Sequence, residues 1–564
     1  MLVRRGPSRT VAIVAASAIG LVAAVGCTVD LDEDDAPAGL VQPEALPDEA
    51  DPGRSLPIVV DDSEAGLARG TAQQFFARAP FVVAAPFDDP AALVRAASLA
   101  VATSVPMLPV DPADGAAVLE EVERLGASHV LAVGAVPDLG TASIIEAPAD
   151  KAAIEEMIER DLGEKEVAAT AGALDAIAAI DSDDATLLSL ADQPLAGPGP
   201  TTEPQALPEF GRSQLDPPVL ALVSAPASEE GREWAEHIAA TATARAAGAT
   251  VVPLAVPDPR ASASSVAAIR DHEDATVVAL GSGFGTVAEL NERVRAAVSV
   301  PELPGGGQLV FPGRRMIALY GHPGVPAMGL LGEQPVDEAI ARAVELAEQY
   351  EPFSSEPVIP AFELIVTVAS VSAGADGNYS NIAEVAQVRP WIDAAAEAGV
   401  YVVLDLQPGR TDFLTQARMF EDLLREPHVG LALDPEWRLK PGEVHLQQIG
   451  QVDAAEVNEV TDWLADLTAE HDLPQKLLIL HQFQQRMILD RESLDTSRDE
   501  VVLLIHADGH GVPGEKMSTW NALKTGLPDG VWLGWKNFID EDFPTFTPER
   551  TMQIGPAPWF VSYQ

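Results

Sequence analysis

Residues 400–442 read VYVVLDLQPGRTDFLTQARMFEDLLREPHVGLALDPEWRLKPG, and this stretch decides the fold. An apolar run at 400–406 stops at polar residues, a stretch of helical spacing fills 412–425, and a second apolar run at 429–433 stops in the same way. Strand, helix and strand in that order make the unit from which parallel sheets are built. Outward from this unit, strand-like runs recur at 316–320, 362–369, 400–406, 429–433, 476–480, 501–505, 531–534 and 559–563. Helical connectors are expected at 336–350, 384–398, 412–425, 453–471 and 515–525. Eight parallel strands in about 250 residues predict a (β/α)8 barrel over 301–564. The sequence stops directly after the eighth run, so the usual closing helix is expected to be missing or to be supplied from upstream, by residues 286–298.

In such a barrel the strand ends face one mouth, and chemistry is built there. Polar residues gather at these ends: Tyr320 and His322 after the first run, Asp405, Gln407 and Arg410 around the third, and Asp434 and Glu436 after the fourth. His481 follows the fifth, His506 and Asp508 the sixth, and Trp535 and Lys536 the seventh. Strand side chains alternate, so Asp405 and Gln407 share a face, as do Asp434 and Glu436, and His506 and Asp508. Ionisable groups of both signs converging on one concavity form the pattern of an active site. The candidate catalytic groups are Asp405, Asp434, Glu436, His481 and Asp508; Tyr320, Arg410, Trp437, Trp535 and Lys536 are the candidate substrate contacts.

Paired carboxylates suit glycoside hydrolysis, in which one acid protonates the leaving oxygen and another acts as nucleophile or base. The residues Leu433-Asp434-Pro435-Glu436-Trp437 resemble the fourth-strand acid of barrel glycosidases. The resemblance implies Glu436 as proton donor, Trp437 as a sugar-stacking face and Asp405 or Asp508 as the partner. Common barrel glycosidases place a second Glu on the seventh strand, where this sequence has Trp535-Lys536-Asn537. No cofactor is required by this reading. A divalent metal enters only in an alternative, phosphodiester hydrolysis with Asp405, Glu436, His481 and Asp508 as ligands, and the His-Arg pair of that family is absent from the first strand. A further alternative is a non-catalytic solute-binding or scaffold protein.

Between about 70 and 300, short β-branched runs alternate with alanine-rich helical stretches, which predicts one or two small parallel-sheet α/β modules ahead of the barrel. Boundaries fall at 57–192 and 218–300, with a Pro-rich linker at 193–217. The motifs Asp88-Asp89-Pro90-Ala91-Ala92, Pro106-Met107-Leu108-Pro109-Val110-Asp111 and Val133-Gly134 lie within 80–136. This segment resembles the bacterial cell-wall-binding repeat type 2, and 219–283 looks like a degraded second copy; the resemblance implies attachment to wall polymer. The blocks LDLQPGR at 404–410, GLALDPEWRLKPG at 430–442 and GWKNFIDED at 534–542 resemble a domain of actinobacterial lipoproteins to which no reaction is assigned.

Arg4, Arg5 and Arg9 precede an uncharged run from Val11 to Gly26, which ends at Cys27, the chain's single cysteine. This is the layout of a secretory signal. Ala24-Val25-Gly26-Cys27 resembles a bacterial lipobox, which implies a signal peptide at 1–26, lipidation of Cys27 and anchoring to the outer face of the cell membrane. Residues 27–56, acidic and rich in proline, read as a tether. One cysteine leaves no internal disulfide, so the fold must rest on packed cores. Lys and Arg number 35 against 86 Asp and Glu, a formal charge of −51, and this excludes nucleic acid as a partner. The expected partners are the membrane, through the lipid, and a cell-wall glycan; because wall polymers such as teichoic acids are anionic like this chain, binding them requires neutral glycan contacts or bridging divalent cations. Composition leaves the oligomeric state open.

Overall fold

Eight parallel strands close into a barrel in the C-terminal part of the chain, with Arg315–Gly321 paired both to Val358–Ala369 and to the last strand, Phe560–Tyr563. The intervening strands are Tyr401–Leu406, Val429–Leu433, Lys476–Gln482, Val501–Ala507 and Trp532–Asn537, each beside its neighbour in chain order. The structure is a computed structural model and describes residues 55–62, 66–111, 115–137, 142–181, 183–191, 206–211 and 215–564. Cys27, the apolar run before it and most of the Pro-rich stretch lie outside these residues. Among the described residues, no helix is long and apolar enough to cross a membrane.

The barrel strands are near-continuous apolar runs because both of their faces are buried. One face packs outward against the helices, as with Phe362, Leu364, Leu404, Leu431, Leu478 and Leu503. The other points into the barrel, where Met316, Ala318, Ala361, Tyr401, Val403, Ala432, Leu477, Ile479, Leu504 and Phe560 fill the lower layers. Leu303, Val310 and Phe311, in the segment leading into the first strand, join this inner cluster and plug the barrel floor. The covering helices include Val336–Glu348, Val385–Ala398, Ala454–Glu470 and Pro513–Leu523. Two short 3₁₀ turns, Gln485–Met487 and Arg491–Ser493, stand between the fifth and sixth strands where a longer helix would usually lie.

The expected closing helix does not serve the barrel. Val287–Ser299 buries Leu290, Val294 and Ala297 against Leu220, Leu222 and Val277 of the preceding module, and meets the barrel through an Arg293–Asp499 ion pair at 3.0 Å.

Two four-stranded parallel sheets precede the barrel. One orders Met107–Val110, Phe81–Pro86, His129–Ala132 and Ser143–Glu146; the other orders Ile58–Val60, Thr276–Leu280, Val219–Ser224 and Thr250–Leu254. The Asp-Pro-Ala motif is a helix start: Asp89 accepts a hydrogen bond from the Ala92 amide at 3.0 Å, and Pro90 occupies the first helical position. Pro90–Thr103 and Gly231–Ala246 share a single cluster, with Ala92, Ala96 and Ala100 of one and Ala235, Ala239 and Ala242 of the other. Small side chains let these helix backbones approach closely. The strand Ile58–Val60 precedes the first sheet in the chain but pairs in the second, beside Thr276–Leu280.

Candidate active site

Above the apolar floor the inward-facing positions turn polar. Tyr320 stands on the first strand, Glu363 on the second, Asp405 on the third, His481 on the fifth, His506 on the sixth, Lys536 on the seventh and Ser562 on the eighth. Asp434 and Asp508 follow directly on the fourth and sixth strands. Register sets Tyr320 beside Glu363, His481 beside His506 and Lys536 beside Ser562, and with Asp405 on the third strand seven strands contribute to this polar upper part of the interior. Glu363, Asp405, His481 and His506 are completely buried.

The imidazole of His481 is clamped between two acids, with Nε2 2.8 Å from Oε1 of Glu363 and Nδ1 3.0 Å from Oδ2 of Asp508. Burial alone would lower its pKa, but these two carboxylates raise it well above the usual histidine value. Lys536 Nζ stands 3.2 Å from Oδ1 of Asp508 and 3.6 Å from the centre of the Tyr320 ring, a cation–π contact. Burial would depress this ammonium, yet Asp508, Glu363, Asp434 and Asp405 together raise its pKa. Tyr320 donates its hydroxyl to Oδ2 of Asp405 at 2.9 Å. Burial pushes Asp405 up to about 6 and Asp434 well above the carboxylate range.

His506 behaves differently. Burial pushes it down to about 4, and its Nε2 shares a hydrogen bond with the Ser562 hydroxyl at 3.2 Å. Its Nδ1 lies 3.8 Å from Oε1 of Glu363 and has no hydrogen-bond partner; neither has Oε2 of Glu363 nor Oδ1 of Asp405.

Glu436 sits at the outer edge of this layer, half-buried on a short 3₁₀ turn, Pro435–Trp437, that Asp434 caps by accepting from the Glu436 amide at 3.3 Å. Burial, then the negative charge of Asp508, pushes the Glu436 carboxyl up to about 7, against the opposing pull of Lys536 and His481. Glu436 and Trp437 line a cavity of about 290 Å³ with Leu446, Gln447, Gln448 and Ile449. Trp437 packs edge-on against His445, ring centres 5.4 Å apart.

The structure thus brings together Tyr320, Asp405, Asp434, Glu436, His481, Asp508 and Lys536, with Trp437 beside them. Arg410 is engaged elsewhere, its guanidinium lying over the Tyr379 ring at 4.5 Å and donating to the Glu443 carbonyl at 2.9 Å. Trp535 does not reach the mouth. It belongs to the outward face of the seventh strand, buried against Trp520 and Phe546, because its neighbours Gly534 and Lys536 occupy the inward positions.

Glu363 and Ser562 were not among the expected site residues. Glu363 had a signal, a lone acid inside the apolar run AFELIVTVA. The group whose ligand atoms lie close enough to share a metal ion is Glu363, His481 and His506, all within 4.8 Å of one another; the four-residue ligand set read from the sequence is not gathered in this way among the described residues.

No protein-family model and no curated protein matches the chain. Among solved structures, Cwp6 from Clostridium difficile aligns with a TM-score of 0.33 and 12% identity. The alignment covers 70% of this chain and 65% of the other.

Proposed function

We propose that the barrel hydrolyses a neutral cell-wall glycan, with Glu436 as general acid. The observation that carries this reading is the Glu436 carboxyl itself, half-buried at the mouth, pushed up to about 7 and so able to carry a proton at neutral pH. Asp508 is its counterpart. Clamped by Lys536 and His481, it offers a fixed negative charge to the sugar ring as positive charge builds at the anomeric carbon. Trp437 supplies an aromatic face, and Gln447 and Gln448 supply neutral hydrogen-bonding groups to sugar hydroxyls. No cationic patch is needed for such a substrate.

The setting of this activity is the cell envelope. The apolar run ending at Cys27 supports export and lipid anchoring at the outer face of the membrane, residues 27–56 would span outward, and modules 57–192 and 218–300 would hold the barrel near the wall. The resemblance of 80–136 to wall-binding repeats supports that placement.

Replacing Glu436 with Gln removes the transferable proton while keeping shape. Turnover of wall oligosaccharides should fall at least about 100-fold, with an unchanged circular dichroism spectrum. Undiminished turnover would overturn the assignment. A second reading, solute binding without turnover, draws on the complete burial and mutual pairing of the layer below Glu436. It predicts that muropeptides bind the unaltered protein and are recovered intact.

A further inference from the structure

We infer that Glu363, His481 and His506 form a binding site for a divalent transition metal, with zinc the ion that suits the donors. Three observations converge on it. The first is geometric: one carboxylate oxygen and two imidazole nitrogens from three strands lie within 4.8 Å of one another, at the centre of the barrel and with no exposure to solvent.

The second concerns unmet hydrogen-bonding capacity. His506 Nδ1 and Glu363 Oε2 are both fully buried without a hydrogen-bond partner. A buried polar atom left without one is costly, and native interiors rarely tolerate it without a reason. A cation bound by Glu363 and His506 satisfies both residues at once.

The third lies in the groups behind the ligands. Metal-bound histidines nearly always tie their other ring nitrogen to a carboxylate or another acceptor, which fixes the tautomer and aims the ring. Both histidines here do so. Asp508 holds Nδ1 of His481 at 3.0 Å and leaves Nε2 facing Glu363; Ser562 holds Nε2 of His506 at 3.2 Å and leaves Nδ1 facing Glu363. Lys536 in turn fixes Asp508 at 3.2 Å. The two ligand nitrogens therefore point at the same carboxylate.

Two imidazoles and a carboxylate match zinc, whose ligand distances of about 2.0–2.2 Å leave a fourth position for water or a substrate oxygen. Magnesium and calcium prefer all-oxygen sets. Occupation would spread His481 Nε2 and Glu363 Oε1 from 2.8 Å to about 3.3 Å, the spacing of two ligands on a tetrahedral ion, would bring His506 closer, and would replace the His481–Glu363 hydrogen bond with coordination of both groups, its proton passing to solvent.

The test is calorimetric titration of the chelator-stripped, full-length protein with zinc, paired with elemental analysis. The expected result is about one zinc per chain, almost none in His506→Ala and Glu363→Gln, and an unchanged amount in His510→Ala, an exposed histidine four residues further on. Ser562→Ala should bind about 10-fold more weakly, the usual effect of losing such a supporting hydrogen bond. Magnesium should give no binding. The inference fails if the unaltered protein takes up no zinc, if magnesium competes with zinc at equal concentration, or if folded Glu363→Gln and His506→Ala bind as the unaltered chain does. Should those two variants not fold, the unaltered protein and Ser562→Ala decide the matter. Glu436→Gln should keep full zinc binding, so that failure of the glycan reading and failure of the metal site remain distinguishable.

Discussion

Nδ1 of His481 lies 3.0 Å from Oδ2 of Asp508 across the ends of two neighbouring strands, in a register that sets His481 directly beside His506. Asp508 thereby joins two cations, since Lys536 reaches its other oxygen at 3.2 Å. Removing one member of a buried charge group leaves the others without compensation, which costs more than the group contributes as a whole. Asp508→Asn should therefore lower unfolding stability by about 3 kcal/mol, read from urea denaturation. A loss below about 0.5 kcal/mol would place the pair among weak surface contacts.

Glu436 faces Asp508, Lys536 and His481, with Asp434 two residues before it, and burial together with Asp508 holds its carboxyl at about 7. A general acid works only while protonated. Turnover should be fullest below pH 7 and fall about 10-fold per unit as pH rises beyond it. The same shift has a consequence for stability. Because the folded chain keeps a proton that the unfolded chain releases above about 4.3, stability contributed by this group is present below that value and is lost as pH rises through about 7. Glu436→Gln should flatten this part of the stability curve. A rate profile level between pH 5 and 9 would remove Glu436 from proton transfer.

Trp437 and Trp535 separate a binding role from a packing role. Trp437 lines the cavity beside Glu436, whereas Trp535 is buried between Trp520 and Phe546 on the far side of the seventh strand. Trp437→Ala should raise KM for a wall oligosaccharide about 10-fold and leave thermal unfolding within a few degrees of the unaltered protein. Trp535→Ala should cost about 3–5 kcal/mol of stability through the cavity it leaves. Equal stability losses in the two variants would contradict the placement.

The barrel was legible because its strands are buried on both faces and stand out as apolar runs between stretches of helical spacing; all eight runs are strands. Their ends were harder to read. The second strand begins at Val358, not 362, since Pro357 and Pro360 disguise its start, and so Glu363 was read near the beginning of a strand where it lies midway. Trp535 and Lys536 were both placed at the mouth, yet adjacent strand residues point to opposite faces, and Gly534 already marks the inward side. Pairing of Ile58–Val60 with Thr276–Leu280 left no trace in periodicity, which records which residues are buried but not which strand lies beside which. The clamping of His481 by Glu363 depends on the same spatial information.

Gly534 gives the most local test of how the inner layers are packed. It faces the barrel interior one layer below Lys536, where a Cβ would stand 2.8 Å from Cδ2 of Leu504, 3.0 Å from the Phe560 carbonyl oxygen and 3.2 Å from Cδ2 of His506. The carbonyl belongs to the neighbouring strand and cannot withdraw without breaking the ladder. The Leu504 methyl and the His506 ring must move instead. Overpacking of this kind costs about 1–3 kcal/mol, so Gly534→Ala should be destabilising by about 2 kcal/mol. The displaced ring would also leave the Ser562 hydroxyl now 3.2 Å from its Nε2. Gly514, in the helix Pro513–Leu523, has nothing within 4 Å of its would-be Cβ. Alanine there should stabilise by up to about 1 kcal/mol, because a helix gains from losing glycine's freedom in the unfolded chain. Thermal unfolding of the two variants side by side reads both signs, and a neutral Gly534→Ala would mean that the strands around His506 are packed more loosely than these distances require.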